Sequence, residues 1–311
     1  MALLVVFLDG VGVGEDNPAS NPFLDADIPT WRSLAGGDWP TLADPRPRHS
    51  QHATLLPADA TLGVEGEPQS GTGTTTLLTG ENAPALLGRH AGPYPPRALH
   101  PLLQEKNILA QAAARGWQAA FANAYPPFFF ERLERGKARR TTCTQAALAA
   151  GLTLRGSEAL ARGEALSPFL TNEHWSRLVP EVPLITLHEA GQNLARLVQA
   201  HDVTLFEFFQ TDHRGHRPDM AEAHALLRDL DHFLAGILVE LDPAKDLLVL
   251  ASDHGNFEDQ THSNHTINPS LITLWGYEQE QLAAAIQNLT HITPLLLEWL
   301  ERRENEKRPS E

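Results

Sequence analysis

The chain opens on Leu3-Leu4-Val5-Val6-Phe7-Leu8, six apolar residues without a polar break. A run of β-formers with no alternation is the pattern of a strand covered on both faces, as in a parallel sheet. Two later runs share the plan, Val203 to Phe209 and Leu247 to Ala251. Each run gives way to a polar turn carrying an aspartate: Asp9-Gly10, Thr211-Asp212 and Ser252-Asp253. Between the second and third runs, Leu226, Leu227, Leu230, Phe233, Leu234, Ile237, Leu238 and Leu241 recur close to a helical period. They predict an amphipathic helix that Asp242-Pro243 ends. Strand, crossover helix and strand make a βαβ unit. The class is therefore α/β, a mostly parallel sheet flanked by helices on both faces.

Further helices are predicted over 108–114, 187–200, 283–289 and 294–302, and a strand over 118–122. Residues 125–185 lack a clean period and are read as a small inserted cap. That leaves 1–90 and 186–300, together with 91–124, as the core, and 301–311 as a charged, fraying tail.

Composition narrows the partners. The 311 residues are 42% hydrophobic and 20% charged, which is globular composition with room for one large α/β domain or two domains. Lys and Arg number 24 against 39 Asp and Glu, a net charge of −15. Such a surface repels phosphate backbones and argues against nucleic acid as a partner. A small phosphorylated substrate stays open, because bound metal ions reverse the field locally. The single cysteine, Cys143, excludes an intramolecular disulfide and a Cys-cluster zinc site, and reads as packing. No apolar run reaches the roughly 18 residues of a membrane helix, and no basic residue precedes the apolar start. The expectation is a cytoplasmic protein without a membrane partner.

The candidate chemistry lies at the strand ends. Asp9, Asp212 and Asp253 follow the carboxyl ends of three predicted strands, the edge where open α/β sheets bind ligands. Histidines gather there: His213 and His216 with Asp212, His254 with Asp253, then His262 and His265. This supply of imidazole and carboxylate suits two divalent ions of the zinc, manganese or iron kind rather than calcium. Ser70-Gly71-Thr72-Gly73 begins a helix-like run. A hydroxyl at a helix N-terminus sits where free amides and the dipole favour an anion, and beside a divalent ion it becomes a nucleophile. The plainer alternative is a serine N-cap. Without a Gly-Lys-Ser/Thr end, the loop is not a P-loop.

In this order, the four pieces resemble the alkaline phosphatase superfamily, and most of all its branch of cofactor-independent phosphoglycerate mutases and phosphopentomutases. Leu8-Asp9-Gly10-Val11-Gly12 is similar to that branch's first metal-binding segment. Ser70-Gly71-Thr72-Gly73 falls where the branch carries its phosphorylated Ser or Thr. Asp212 and His216 match its Asp-x-x-x-His pair, Asp253-His254-Gly255-Asn256 its Asp-His-Gly-Asn segment, and His265-Thr266 with Pro269 its final His-Thr-x-x-Pro segment. The resemblance covers roughly residues 1–90 and 186–275. It implies an alkaline phosphatase-like core with two divalent metals, zinc or manganese. One would be held by Asp212, His216 and His265, the other by Asp9, Asp253, His254 and the Ser70 oxygen. It implies attack by Ser70 on phosphorus and a phosphoserine, followed by water in a phosphatase or by a second substrate hydroxyl in a mutase.

Two departures bear on that choice. Thr74 stands where the branch usually has histidine, and the segment between Ser70 and Asp212 is short for a mutase cap. The expected function is thus a two-metal phosphohydrolase or phosphotransferase on a small phosphorylated substrate. The alternatives are a phosphomutase on a phosphosugar or phosphoglycerate, and a catalytically silent metal-binding scaffold. His213, Arg214 and Asn256 are candidate substrate contacts. His262 is read as loop, Arg132, Lys137, Arg139 and Arg140 as a solvated face, and Phe128-Phe129-Phe130 as cap core.

Overall fold

All six residues of strand β1 (Leu3–Leu8) are buried, and they divide between two cores. Leu4, Val6 and Leu8 face one, and Leu3, Val5 and Phe7 face the other. Alternation of side chains along a strand makes this division, and the unbroken apolar run is its consequence. The computed structural model describes residues 1–307. Beyond β1, the strands are β2 (Arg48–His49), β3 (Ala53–Ala58), β4 (Ala119–Phe121), β5 (Val203–Phe208), β6 (Leu247–Ala251) and β7 (Ser270–Gly276). They form one sheet in the order β2-β3-β7-β6-β1-β5-β4. β6, β1, β5 and β4 run parallel. β7 opposes β6, β3 opposes β7, and β2 opposes β3. The sheet is therefore mostly, but not entirely, parallel.

The antiparallel edge was not foreseen. β7 reads Ser-Leu-Ile-Thr-Leu-Trp-Gly and β3 carries Pro57, so neither shows the uninterrupted run of β1 and β6.

Helices Leu187–Gln199 and Met220–Leu238 cover the first core. Thr186 and Glu189 cap the first of these reciprocally, which fixes its start. Asp219 caps the second ahead of its apolar stripe, and the helix ends at Leu238, short of Asp242. Helices Ser70–Thr79, Ile108–Ala114 and Ile292–Lys307 lie on the opposite face. Expected helix 283–289 is displaced to Gln279–Ala285. The last helix runs on through residues expected as tail because its charges are partnered: Arg115 reaches Glu301 at 2.8 Å and Arg302 reaches Glu278 at 2.9 Å. Residues 308–311 of that tail lie outside the described residues.

The stretch 125–185 divides. Helix Thr142–Ala149 buries Cys143, Ala146 and Ala147 in the second core. Its small residues give little amphipathic signal, which is why its packing is illegible in the chain. Leu160, Ala165, Trp175 and Val182 instead gather with Ala124 in a small cluster of their own, while Leu166 and Leu170 join the first core. No helix of the described residues is long and apolar enough to cross a membrane.

Candidate active site

β6, β1 and β5 are neighbours, and each leads into one of the three aspartates at its carboxyl end. Parallel pairing in register (Leu8 opposite Phe208, Phe7 opposite Ala251) brings Asp9, Asp212 and Asp253 to one edge. Asp212 lies in the short helix Gln210–Gly215 that follows β5.

Two groups of ligand-type side chains converge there. Asp212, His216 and His265 place one nitrogen or oxygen each within 4.8 Å of one another, and so do Asp9, Asp212 and His254. Asp212 thus belongs to both groups. Asp253 joins the second through His254, whose Nε2 lies 3.7 Å from Asp253 Oδ1 and 3.3 Å from Asp9 Oδ1.

The imidazoles are oriented by backbone carbonyls. His265 Nδ1 lies 2.7 Å from the Pro68 carbonyl oxygen, and His216 Nδ1 lies 2.7 Å from that of Ser263. His254 Nδ1 lies 3.3 Å from the Gly255 carbonyl. A carbonyl only accepts, so each Nδ1 carries the hydrogen and each Nε2 is left to a cation. The Nε2 atoms of His216 and His265 face each other at 3.2 Å. Two such lone pairs in contact are reconciled by a shared cation, so the donor set fits divalent metal.

Ser70 does not cap its helix. The N-cap of helix Ser70–Thr79 is Gln69, and Ser70 is the first helical residue. Its Oγ turns into the site, 3.0 Å from His254 Nε2 and 3.4 Å from Asp9 Oδ1. The helix is buried on every side despite its threonines. Thr75, Thr76 and Thr79 satisfy their hydroxyls on carbonyls one turn back. Thr74 donates to Asp253 Oδ2 at 2.7 Å and so holds that carboxylate in place.

Electrostatics differ across the site. Burial, and then the charge of Asp253, raises the Asp9 pKa well above the ordinary carboxylate range. Burial opposes charge on His254, but Asp253 and Asp9 outweigh it and push its pKa up to about 10. Burial also acts on Asp212, yet the His265 ring beside it and the charge of His254 hold its carboxyl well below the usual range. Without metal, protons neutralise part of the carboxylate excess that would attract a cation.

The candidate substrate contacts separate. Asn256 is buried, and its Nδ2 donates to Asp212 Oδ1 at 2.8 Å, so it orients a ligand-type side chain. Arg214 turns to Glu222 at 3.3 Å, and the His213 ring packs edge-on against Phe209. Both line a groove of about 220 Å³ with Arg217 and Asp229. His262 pairs with Asp259 at 3.4 Å on the surface. Arg139 lies over the Tyr94 ring, and Arg132 donates to the Lys137 carbonyl. Phe129 and Phe130 pack against the second core, whereas Phe128 is exposed. Cys143 is fully buried, and burial raises its thiol pKa.

Two buried carboxylates escaped the sequence reading. Glu207, on β5, accepts from Thr141 Oγ1 at 2.8 Å, and burial pushes its pKa up to about 7. Glu258 lies beside the Asp253-His254 loop. A lone glutamate inside a strand or after a loop carries no pattern, so only the fold reveals them.

A family model described as the metalloenzyme superfamily matches residues 1–302. A 2,3-bisphosphoglycerate-independent phosphoglycerate mutase of Dinoroseobacter shibae is 27% identical over 123 residues, which is 37% of this chain and 24% of that protein. The match thus spans about a quarter of the relative's length. Among solved structures, the PH0037 protein from Pyrococcus horikoshii aligns with TM-score 0.57 at 12% identity, covering 97% of each chain. A cold-active alkaline phosphatase from Shewanella sp. aligns with TM-score 0.52 at 13% identity, covering 96% of this chain and all of that one. These likenesses are of fold.

Proposed function

We propose, from the premise that this chain belongs to the metalloenzyme superfamily, that it is a two-metal phosphohydrolase or phosphotransferase acting through phospho-Ser70. The observation that carries this reading is the position of Ser70 Oγ. It lies at a helix N-terminus, 3.0 Å from His254 Nε2, with both ligand groups beside it. Asp212, His216 and His265 would hold one divalent ion, zinc or manganese. Asp9, Asp253, His254 and Ser70 would hold the other. Bound there, the ions supply positive charge that lowers the serine hydroxyl pKa and screens phosphoryl oxygens.

The chain's own part follows from geometry. In the first turn of helix Ser70–Thr79, Thr72 and Gly73 donate their N–H groups to the Ala91 and Gln69 carbonyls, which leaves those of Ser70 and Gly71 for the phosphoryl group. Ser70 Oγ loses its proton and bonds to phosphorus as the bond from phosphorus to the leaving oxygen breaks, and the leaving oxygen takes up a proton. Water then attacks phosphoserine, and phosphate leaves as Ser70 regains its proton. Asn256 and Thr74 keep the carboxylates of Asp212 and Asp253 from rotating. The substrate is a small phosphorylated molecule. We assign the cap to the part of 125–185 beyond helix Thr142–Ala149, where Phe169 meets Phe209 beside the site.

The test is phosphate release from a phosphomonoester and a phosphodiester with zinc or manganese, comparing wild type with Ser70→Ala. Metal-dependent release that falls at least about 10³-fold in the variant is expected, the scale of losing a nucleophile. Near wild-type release from Ser70→Ala would overturn the covalent route. A second reading, phosphomutase, is favoured by the name of the mutase relative. It predicts exchange between phosphosugar or phosphoglycerate isomers without net phosphate release.

A further inference from the structure

Glu258 is only 1% exposed, and all its acceptor positions are filled. Oε2 accepts from the backbone N–H of Gly12 at 2.9 Å and of Asn256 at 2.8 Å. Oε1 accepts from Thr266 Oγ1 at 2.6 Å and from Asn268 Nδ2 at 3.0 Å. It makes no ion pair among the described residues. Its partners come from three separate segments, and each segment carries ligand-type side chains of the site. Gly12 follows Asp9, Asn256 follows Asp253 and His254, and Thr266 adjoins His265.

We propose that Glu258 is a positioning residue that holds these three loops in register and so sets the spacing between the two ligand groups. The inference rests on the two-metal reading of the site. Four donors on one side chain call for two oxygens that only accept. An amide at this position would turn an NH2 toward two of the donors. The backbone is shaped to admit the carboxylate. A Cβ on Gly12 would come within 2.6 Å of its carboxyl carbon, and one on Gly255 within 2.3 Å of Oε1. Either side chain would expel it. Backbone bonds tie the same loops together, Phe257 N–H to Gly10 O at 2.8 Å and Thr266 N–H to Gly255 O at 3.0 Å. The carboxylate accepts hydrogen bonds from all three.

Asp231 offers a matched control. It too is a buried carboxylate that accepts from two backbone N–H groups, those of Thr30 and Trp31 at 3.1 and 2.7 Å. It pins a helix that carries none of the ligand-type residues. The test is cobalt(II) titration of the full chain, followed by the visible d–d absorption, in wild type, Glu258→Gln and Asp231→Asn, with melting temperature measured alongside. Outer partners of metal ligands typically change affinity by about 10- to 100-fold. Glu258→Gln is expected to weaken cobalt binding on that scale and to change the band shape. Asp231→Asn is expected to melt earlier with an unaltered cobalt spectrum.

A Glu258→Gln protein that melts earlier but binds cobalt as wild type does would overturn the proposal, leaving the residue merely structural. Should that variant fail to fold, Thr266→Val removes one of the four bonds. A weaker cobalt affinity in it supports the proposal, and an unchanged titration overturns it. Wild type that takes up no cobalt would overturn the metal reading itself, and the proposal with it. That failure is recognisable because it appears before any substitution.

Discussion

Asp9 and Asp212 stand at the carboxyl ends of neighbouring strands, yet their carboxyls are driven in opposite directions. Asp9 is buried against a second carboxylate, Asp253, with His254 as its one cationic partner. Asp212 is buried too, but it receives His265 and Asn256 and lies close to His216. The difference extends to the histidines. The His254 side chain is 0% exposed, and that of His216 is 42% exposed. The half around Asp9 and Asp253 carries the excess negative charge, and the half around Asp212 reaches solvent at His216.

The sharpest way to break this contrast is to remove one histidine from each half. His254→Ala strands Asp9 and Asp253 together without a cation. The expected cost to the metal-free chain is about 3–5 kcal/mol, the scale of breaking a buried charge pair. His216→Ala is expected to stay within about 0.5 kcal/mol, as solvent-facing substitutions do. Urea denaturation of the metal-free proteins measures both. Equal losses would erase the distinction.

Glu207 sharpens the same contrast through pH. Its folded pKa is about 7 against an ordinary 4.5. Between those values the folded chain holds a proton that the unfolded chain has released. Stability of the metal-free chain therefore falls as pH rises through that window, by about 3 kcal/mol, and levels off above it. Glu207→Gln is expected to flatten the profile, and an unchanged slope would assign it to other groups. A lesser loss than those of His254→Ala and Glu207 is expected of Thr74→Val, which leaves Asp253 Oδ2 without its hydroxyl donor. A buried acceptor deprived of its partner costs about 1–3 kcal/mol. The comparison predicts the lower part of that range once zinc or manganese is bound.

Legibility in the sequence followed the same physics. β1 and β6 were readable because burial on both faces forces an unbroken apolar run, and β5 because its run is mainly apolar despite Thr204 and Glu207. Asp9, Asp212 and Asp253 were readable because they interrupt such runs at one end. Ser70 was readable as a hydroxyl before a helix, though only its Oγ direction separates nucleophile from cap. β3 and β7 were not readable, because Pro57 and the mixed residues of β7 hide them among turns. Helix Thr142–Ala149 is not legible as core, because small residues pack tightly without announcing a period. Glu207 and Glu258 act through partners distant in sequence, and no local pattern can encode that.

The adjacency of β6, β1 and β5 has a consequence for how such a catalyst can diversify. Strands in a sheet lie about 4.8 Å apart, a pitch set by backbone hydrogen bonds rather than by any side chain. The strand ends that carry the three acids inherit that pitch as a ruler. Point mutation cannot lengthen or shorten it without undoing the central sheet, so the spacing is fixed for every descendant that keeps the fold. Novelty is then channelled to whatever reaches over the ruler, the segment around Tyr94 and Arg139 and the short helices beyond residue 155.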